Sequence, residues 1–155
     1  MNVRTCKFYG HFVSPPYFAD ELFCDLAPRS EDSLRMIRRP KEFSKNDTVF
    51  AAGDLPDCIY ILNSGQARLT VTNGINKVTS RRLVKPDEVL GLNELLANSF
   101  CQMNVETITP CVFECLRRQD FLRFLDDEPA ICYRLLSVIA SNSQQSYTNF
   151  SAATF

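Results

Sequence analysis

Between about Glu42 and Leu116, runs of Val, Ile, Phe, Leu and Thr alternate with polar residues and are broken at short intervals by turn formers. No other feature of the chain constrains its fold so strongly. A two-residue period puts the apolar side chains of an extended segment on one face. Many short segments of this kind must bury those faces against one another, which a sandwich or a jelly-roll barrel achieves. "DTVFAAGD" (Asp47–Asp54) reads as a strand closing on a Gly-Asp turn, and "DCIYILNSG" (Asp57–Gly65) as a strand closing on Gly65. "QARLTVTNGINKVTSRRLV" (Gln66–Val84) reads as a hairpin. In it Ala67, Leu69 and Val71 share one face, and Asn73-Gly74 is a strong two-residue turn signal. "NVETITPCVFECL" (Asn104–Leu116) completes the series.

Helical patterns flank this β region. "ADELFCDL" (Ala19–Leu26) spaces Leu22, Phe23 and Leu26 for one helix face. "APRSEDSLRMIRRP" (Ala27–Pro40) predicts a second helix, with Ser30 as N-cap, Glu31 and Asp32 in the first turn, Arg38 and Arg39 in the last, and Pro40 as the stop. Beyond Leu116, Asp120 is the expected cap of "FLRFL". Pro129 opens a long helix whose apolar stripe is Ile131, Leu135, Val138 and Ile139, continued by Asn142 and Gln145 as polar positions. The expected organisation is an N-terminal arm over 1–19 with the extended "SPPYF" (Ser14–Phe18), and one domain over 20–150. Within that domain a roll occupies about 42–116 and a terminal helix about 129–150, followed by a tail at 151–155. The fold class is therefore mainly β with flanking α.

Composition narrows the function classes. A chain of 155 residues suffices for one core, and a formal charge of −1 provides no basic field for nucleic acid. No run has the length of a signal peptide or a membrane span, so a soluble, cytoplasmic protein is expected. The seven cysteines are odd in number and include no CxxC pair, and His11 is the only histidine, so no metal site is expected. Cys111 and Cys115, four apart, would share one face of a strand. No nucleophile elbow or P-loop occurs, and the carboxylate clusters Glu31-Asp32 and Asp126-Asp127-Glu128 fall at helix starts, so no enzyme is expected. Arg81-Arg82 and Arg117-Arg118 read as solvated pairs.

Helices, then a roll of eight strands, then a long helix: this order resembles the cyclic-nucleotide-binding domain of the Crp/Fnr regulator family. The likeness is carried by "FSKNDTVFAAGDLPDCIYILNSGQARL" (Phe43–Leu69), by "LVKPDEVLGLNELL" (Leu83–Leu96) and by "RRQDFLRFLDDEPAICYRLLSVIA" (Arg117–Ala140), and it covers roughly residues 20–150. It implies a non-enzymatic sensor module that binds a small-molecule effector, with cAMP or cGMP as the family's ligands and no certain cofactor. It also implies a homodimer formed through the terminal helix. No helix-turn-helix pattern follows that helix, so direct DNA contact by this chain is not expected.

The resemblance places the ligand site at the phosphate cassette, "GLNELLANSFCQMNVETITPC" (Gly91–Cys111), and on the terminal helix. The implied ligand-facing positions are Gly91, Leu92, Asn93, Glu94, Cys101, Gln102, Met103 and Asn104, with Asn142 and Ser146 from the helix. Here the chain departs from the family pattern. Leu92 stands where nucleotide binders carry a glutamate for the ribose, and Glu94 follows two residues later. Cys101 stands where they carry the phosphate arginine, and no Arg or Lys occurs between Lys85 and Arg117. A charge-assisted hydrogen bond is worth about 1.5–3 kcal/mol. Losing both groups costs about 3–5 kcal/mol, on the order of a hundred- to several-thousand-fold in affinity. Arg68, Arg81 or Arg82 could reach in as a substitute cation. An effector or partner at the Gly91–Val105 loop would shift the terminal helix. Two other readings stay open: a ligand-free interaction scaffold, with Leu92, Phe100 and Met103 filling the pocket, and a thiol redox sensor using Cys101 or the Cys111/Cys115 pair.

Overall fold

A computed structural model describes residues 16–72 and 77–154; the side chains at 79 and 145–154 lie outside that description. The expected Asn73-Gly74 turn and most of the arm, including Ser14 and Pro15, also fall outside it.

Nine strands among the described residues form two sheets. β1 (Tyr17–Phe18), β7 (Glu88–Leu90), β4 (Cys58–Ser64), β9 (Cys111–Arg117) and β2 (Arg39–Phe43) make a five-stranded sheet in that spatial order. β3 (Thr48–Phe50), β8 (Met103–Thr107), β5 (Ala67–Thr72) and β6 (Val78–Leu83) make a four-stranded one. All pairings are antiparallel. The sheets enclose a core of Val49, Phe50, Leu62, Ala67, Leu69, Val105 and Phe113, against which Phe43 and Tyr60 pack. The rings are edge-on, except that Phe50 and Tyr60 stack at 6.1 Å. The alternation read at Ala67, Leu69 and Val71 is the inward face of β5. The opposite face of the five-stranded sheet, with Ile59, Ile61 and Leu116, is covered by the helices through Leu22, Leu95, Phe121 and Leu135.

Gly65 shows why the roll turns where it does. Its φ is +92°, and a Cβ there would lie 2.3 Å from the Pro110 carbonyl oxygen and 2.7 Å from the Cys111 sulfur. Only glycine fits both the backbone and the space.

The helix ends differ in detail from the sequence reading. α1 spans only Ala19–Leu22, because Phe23 has left the helical region and Asp25 is left-handed. α2 is Pro28–Ile37, with Ala27 as N-cap and Pro28 at the first position. Ser30 is thus inside the helix and buried, and its hydroxyl donates to Glu128 rather than capping. Arg38 is the C-cap and Arg39 already belongs to β2, where it pairs with Cys115, so sheet pairing claims the residues read as the last turn. α4 (Arg118–Asp127) starts two residues before Asp120, since the Arg118 N–H finds the Asp57 carbonyl. α5 runs Pro129–Thr154, beyond the expected end near 150. Its stripe is seated as read: Ile131 and Leu135 are buried, with Val138 and Ile139 half-buried on the same cluster.

Candidate functional site

Gly91 adopts φ +82° and is the N-cap of a short helix, α3 (Leu92–Ala97). An added Cβ would meet only the Cys58 carbonyl at an ordinary 3.6 Å, so the left-handed backbone, not space, calls for glycine here. The turn aims Leu92 and Leu95 into the helix-side core, where both are fully buried. Leu92 is therefore a packing residue. Asn93 and Glu94 are left on the half-buried side of α3.

Asn93 meets the arm. β1 pairs with β7, Tyr17 opposite Val89, which sets the Tyr17 hydroxyl 2.9 Å from Asn93 Oδ1 as donor. Asn142 of α5 hydrogen-bonds the same hydroxyl. Burial raises the Tyr17 pKa, so the phenol stays protonated. The arm, the cassette helix and the terminal helix therefore meet at one oxygen. A second tether runs from α4 to the cassette, where Arg118 Nε donates to the Leu95 carbonyl at 3.3 Å.

The second half of the cassette serves a different neighbour. Cys101 is buried, its N–H donates to the Asp54 carbonyl, and its own carbonyl accepts from the Gly53 N–H, both at 2.8 Å. Asn104 Oδ1 accepts from the Ala52 N–H at 2.9 Å. Together they hold the turn around Gly53-Asp54. Met103 packs on the roll core, whereas Gln102 and Phe100 are exposed, so Phe100 does not fill an interior pocket. Burial, Glu94 and Asp54 push the Cys101 thiol up to about 11. Both charged groups that act on this thiol are carboxylates.

Two of the three substitute cations are engaged elsewhere. Arg68 faces Glu106 at 3.4 Å on the outer surface, and Arg81 is exposed. Arg82 is not a solvated residue: it sits opposite the inward-facing Leu69, and its guanidinium clamps the fully buried Glu88 at 2.5 and 3.1 Å. Glu88 also accepts from the Lys85 N–H, and Arg82 Nε has no partner. The Arg118 guanidinium and N–H are likewise committed.

Of the ten implied positions, Gly91 caps one short helix and Leu92 to Glu94 open it, and Asn93 meets Asn142 through Tyr17. Cys101 and Asn104 bind the Ala51–Asp54 turn, and Ser146 lies where side chains are not described. Tyr17 and the Arg82–Glu88 pair escaped the sequence reading, because strand addition and an inward register are set by partners far along the chain. Cys111 and Cys115 do share one face of β9, but four strand residues separate them by about 13 Å, too far for a disulfide. No described helix is long and apolar enough to cross a membrane.

The two-sheet roll, its glycine-initiated helix and the long terminal helix bonded to it together define a known class of domain. The chain belongs to the cyclic nucleotide-binding domain family, whose pattern matches residues 40–128. It is 24% identical over 119 residues to the cyclic AMP receptor protein of Thermus thermophilus, covering 77% of this chain and 55% of that protein. It is 22% identical over 134 residues to a CRP-like cAMP-activated global transcriptional regulator of Mycobacterium tuberculosis, covering 86% of this chain and 60% of that one. The chain thus spans little more than half the length of these relatives. The crystal structure of the Thermus thermophilus catabolite activator protein superposes with a TM-score of 0.77 at 22% identity, over 86% of this chain and 63% of that one.

Proposed function

We propose that this domain is a non-enzymatic regulatory module in which the state of the cassette sets the position of α5. The Tyr17 hydroxyl carries this reading. It bonds the cassette through Asn93 and the terminal helix through Asn142, so a displacement of α3 breaks or re-forms the contact that holds α5. Effector recognition does not use the family's arginine and glutamate. Cys101 and Leu92 occupy those positions as buried residues, and Arg82 is neutralised by Glu88.

Cyclic nucleotides are the effector class to test first, and calorimetric titration with cAMP and cGMP at low salt is the test. We expect no saturable binding in the micromolar range, since the missing pair costs on the order of a hundred- to several-thousand-fold. Micromolar binding would refute a retuned cassette and point to Arg82 released from Glu88. A small effector without a full phosphate charge suits a site where Glu94 and Asp54 are the charges acting on Cys101.

The output surface is the outer side of α5. Tyr133 and Leu136 are 75% and 67% exposed, and Ala140 continues their line one turn on. A homodimer formed along this stripe is the expected assembly, in cytoplasm. Leu136→Glu should convert a dimer to a monomer in light scattering; an unchanged mass would reject the stripe as the seam.

A further inference from the structure

Cys58 on β4 and Cys115 on β9 project from the same face of the five-stranded sheet. Tyr60 is paired with Cys115 and Cys58 with Arg117, so the two cysteines are diagonal neighbours. Both are free and half-exposed, and each thiol is the largest influence on the other's pKa. They open on a groove of about 760 Å³ at one end of the roll. Arg39 and Lys41 of β2, Arg117 and Arg118 face this groove, against two carboxylates, Asp57 and Asp120. Lys41 Nζ lies 5.2 Å from the Phe43 ring centre and 5.8 Å from that of Tyr60, in the groove that both cysteines line.

The two thiols are pushed in opposite directions. The hydrogen bond from Cys115 brings Cys58 down to about 7, against opposition from burial and Asp57, with Lys41 and Arg117 assisting. Cys115 is raised, by its interaction with Cys58 and by burial. Cys101 and Cys111 are both raised by burial. Among the described cysteines with shifted values, Cys58 alone moves towards the thiolate at neutral pH.

We propose that Cys58 and Cys115 form a two-thiol redox site, with Cys58 attacking hydroperoxides and Cys115 resolving the product. The Cys58 sulfur takes one peroxide oxygen and the O–O bond breaks. The sulfur is oxidised to a sulfenic acid, and the peroxide is reduced to water or an alcohol. The Cys115 sulfur then attacks Cys58, the S–S bond forms, and the S–O oxygen leaves as water with the Cys115 proton. Two thiols and one hydroperoxide thus give one disulfide, one water and one alcohol or second water. Diagonal strand neighbours lie about 7–8 Å apart between Cα atoms, beyond the roughly 4.4–6.8 Å that a disulfide spans. Closure must distort the β4–β9 ladder along the strand direction, since the two strands are already paired, and that strain makes the bond readily reducible and the site reversible. The Cys58 carbonyl is also the nearest neighbour of a Cβ placed on Gly91, at 3.6 Å, so a shift of β4 reaches the first residue of the cassette.

The test is titration of the folded chain with hydrogen peroxide, quenching with N-ethylmaleimide, and mass spectrometry of the intact chain and its peptides. The expected product has lost two thiols, links the Cys58 and Cys115 peptides, and reverts with dithiothreitol. Cys115→Ser should stop at a sulfenic acid on Cys58, trapped as one dimedone adduct. Cys58→Ser should leave Cys115 reduced. Lys41→Ala, which keeps both thiols, should slow the first step. A link joining any other pair of the seven cysteines, unmodified thiols in the folded wild-type chain, or oxidation of Cys115 in Cys58→Ser at the wild-type rate would overturn the proposal.

Discussion

The Tyr17 hydroxyl donates to Asn93 across 76 positions of sequence and also bonds Asn142 on the terminal helix. Tyr17→Phe keeps the ring and deletes this junction. The expected loss is about 1 kcal/mol, or about 2–4 °C in Tm for a chain of this size. Hydrogen exchange adds the decisive readout. Amides of α5 around Val138–Asn142 should exchange faster in the variant, and unchanged protection would show that the junction does not hold the helix.

Leu92 is 1% exposed inside the helix-side core. Leu92→Ala should cost about 2–5 kcal/mol. Leu92→Glu should cost more, because it buries an unpaired carboxylate. Urea denaturation of both variants measures this. A Glu variant as stable as wild type would mean that α3 can turn outward and that the cassette is still adaptable.

Glu88 and Arg82 form a bidentate pair whose carboxylate is 1% exposed. Glu88→Gln leaves a guanidinium on the roll's inner face without its counter-charge. A loss of about 3–5 kcal/mol is expected. Adding Arg82→Leu should recover a large part of it, and a double-mutant cycle reads the coupling. Strict additivity would show that the two side chains do not act as a pair.

Cys101, held up to about 11 from an ordinary 9.0, should make stability fall at high pH. The sign follows from the folded state holding its proton longer than the unfolded chain. The contribution is complete below about pH 9 and is lost as the pH rises through 11. Other buried groups titrate in this range, so the measurement is the difference between wild type and Cys101→Ala in urea midpoint at pH 8 and above pH 10. That difference should narrow with rising pH; a constant difference would contradict the buried, proton-retaining thiol.

The β-roll was legible because its signals are local. A period of two at Ala67, Leu69 and Val71, and glycines at 53, 65 and 91, dictate strands and positive-φ turns whatever the rest of the chain does. Element ends were less so. Ser30 looks like a cap, but the neighbouring Pro28 starts the helix and distant Glu128 claims the hydroxyl. The left-handed turn at Gly91 was legible too, since glycine is the residue that such a backbone favours.

What individual side chains do was decided by the tertiary structure. Arg81 and Arg82 are adjacent in the chain, yet one is exposed and the other clamps a buried carboxylate, because the β5–β6 register alternates their faces. Cys115 could be paired with Cys111 by spacing along one strand, but its sulfur faces Cys58 because β4 and β9 align there. Tyr17 becomes a junction only when β1 adds to β7. Period and turn chemistry act over a few residues and are written in the chain itself. Which groups share a hydrogen bond, a charge or a proton depends on strand order and register, which arise only when distant segments are buried together.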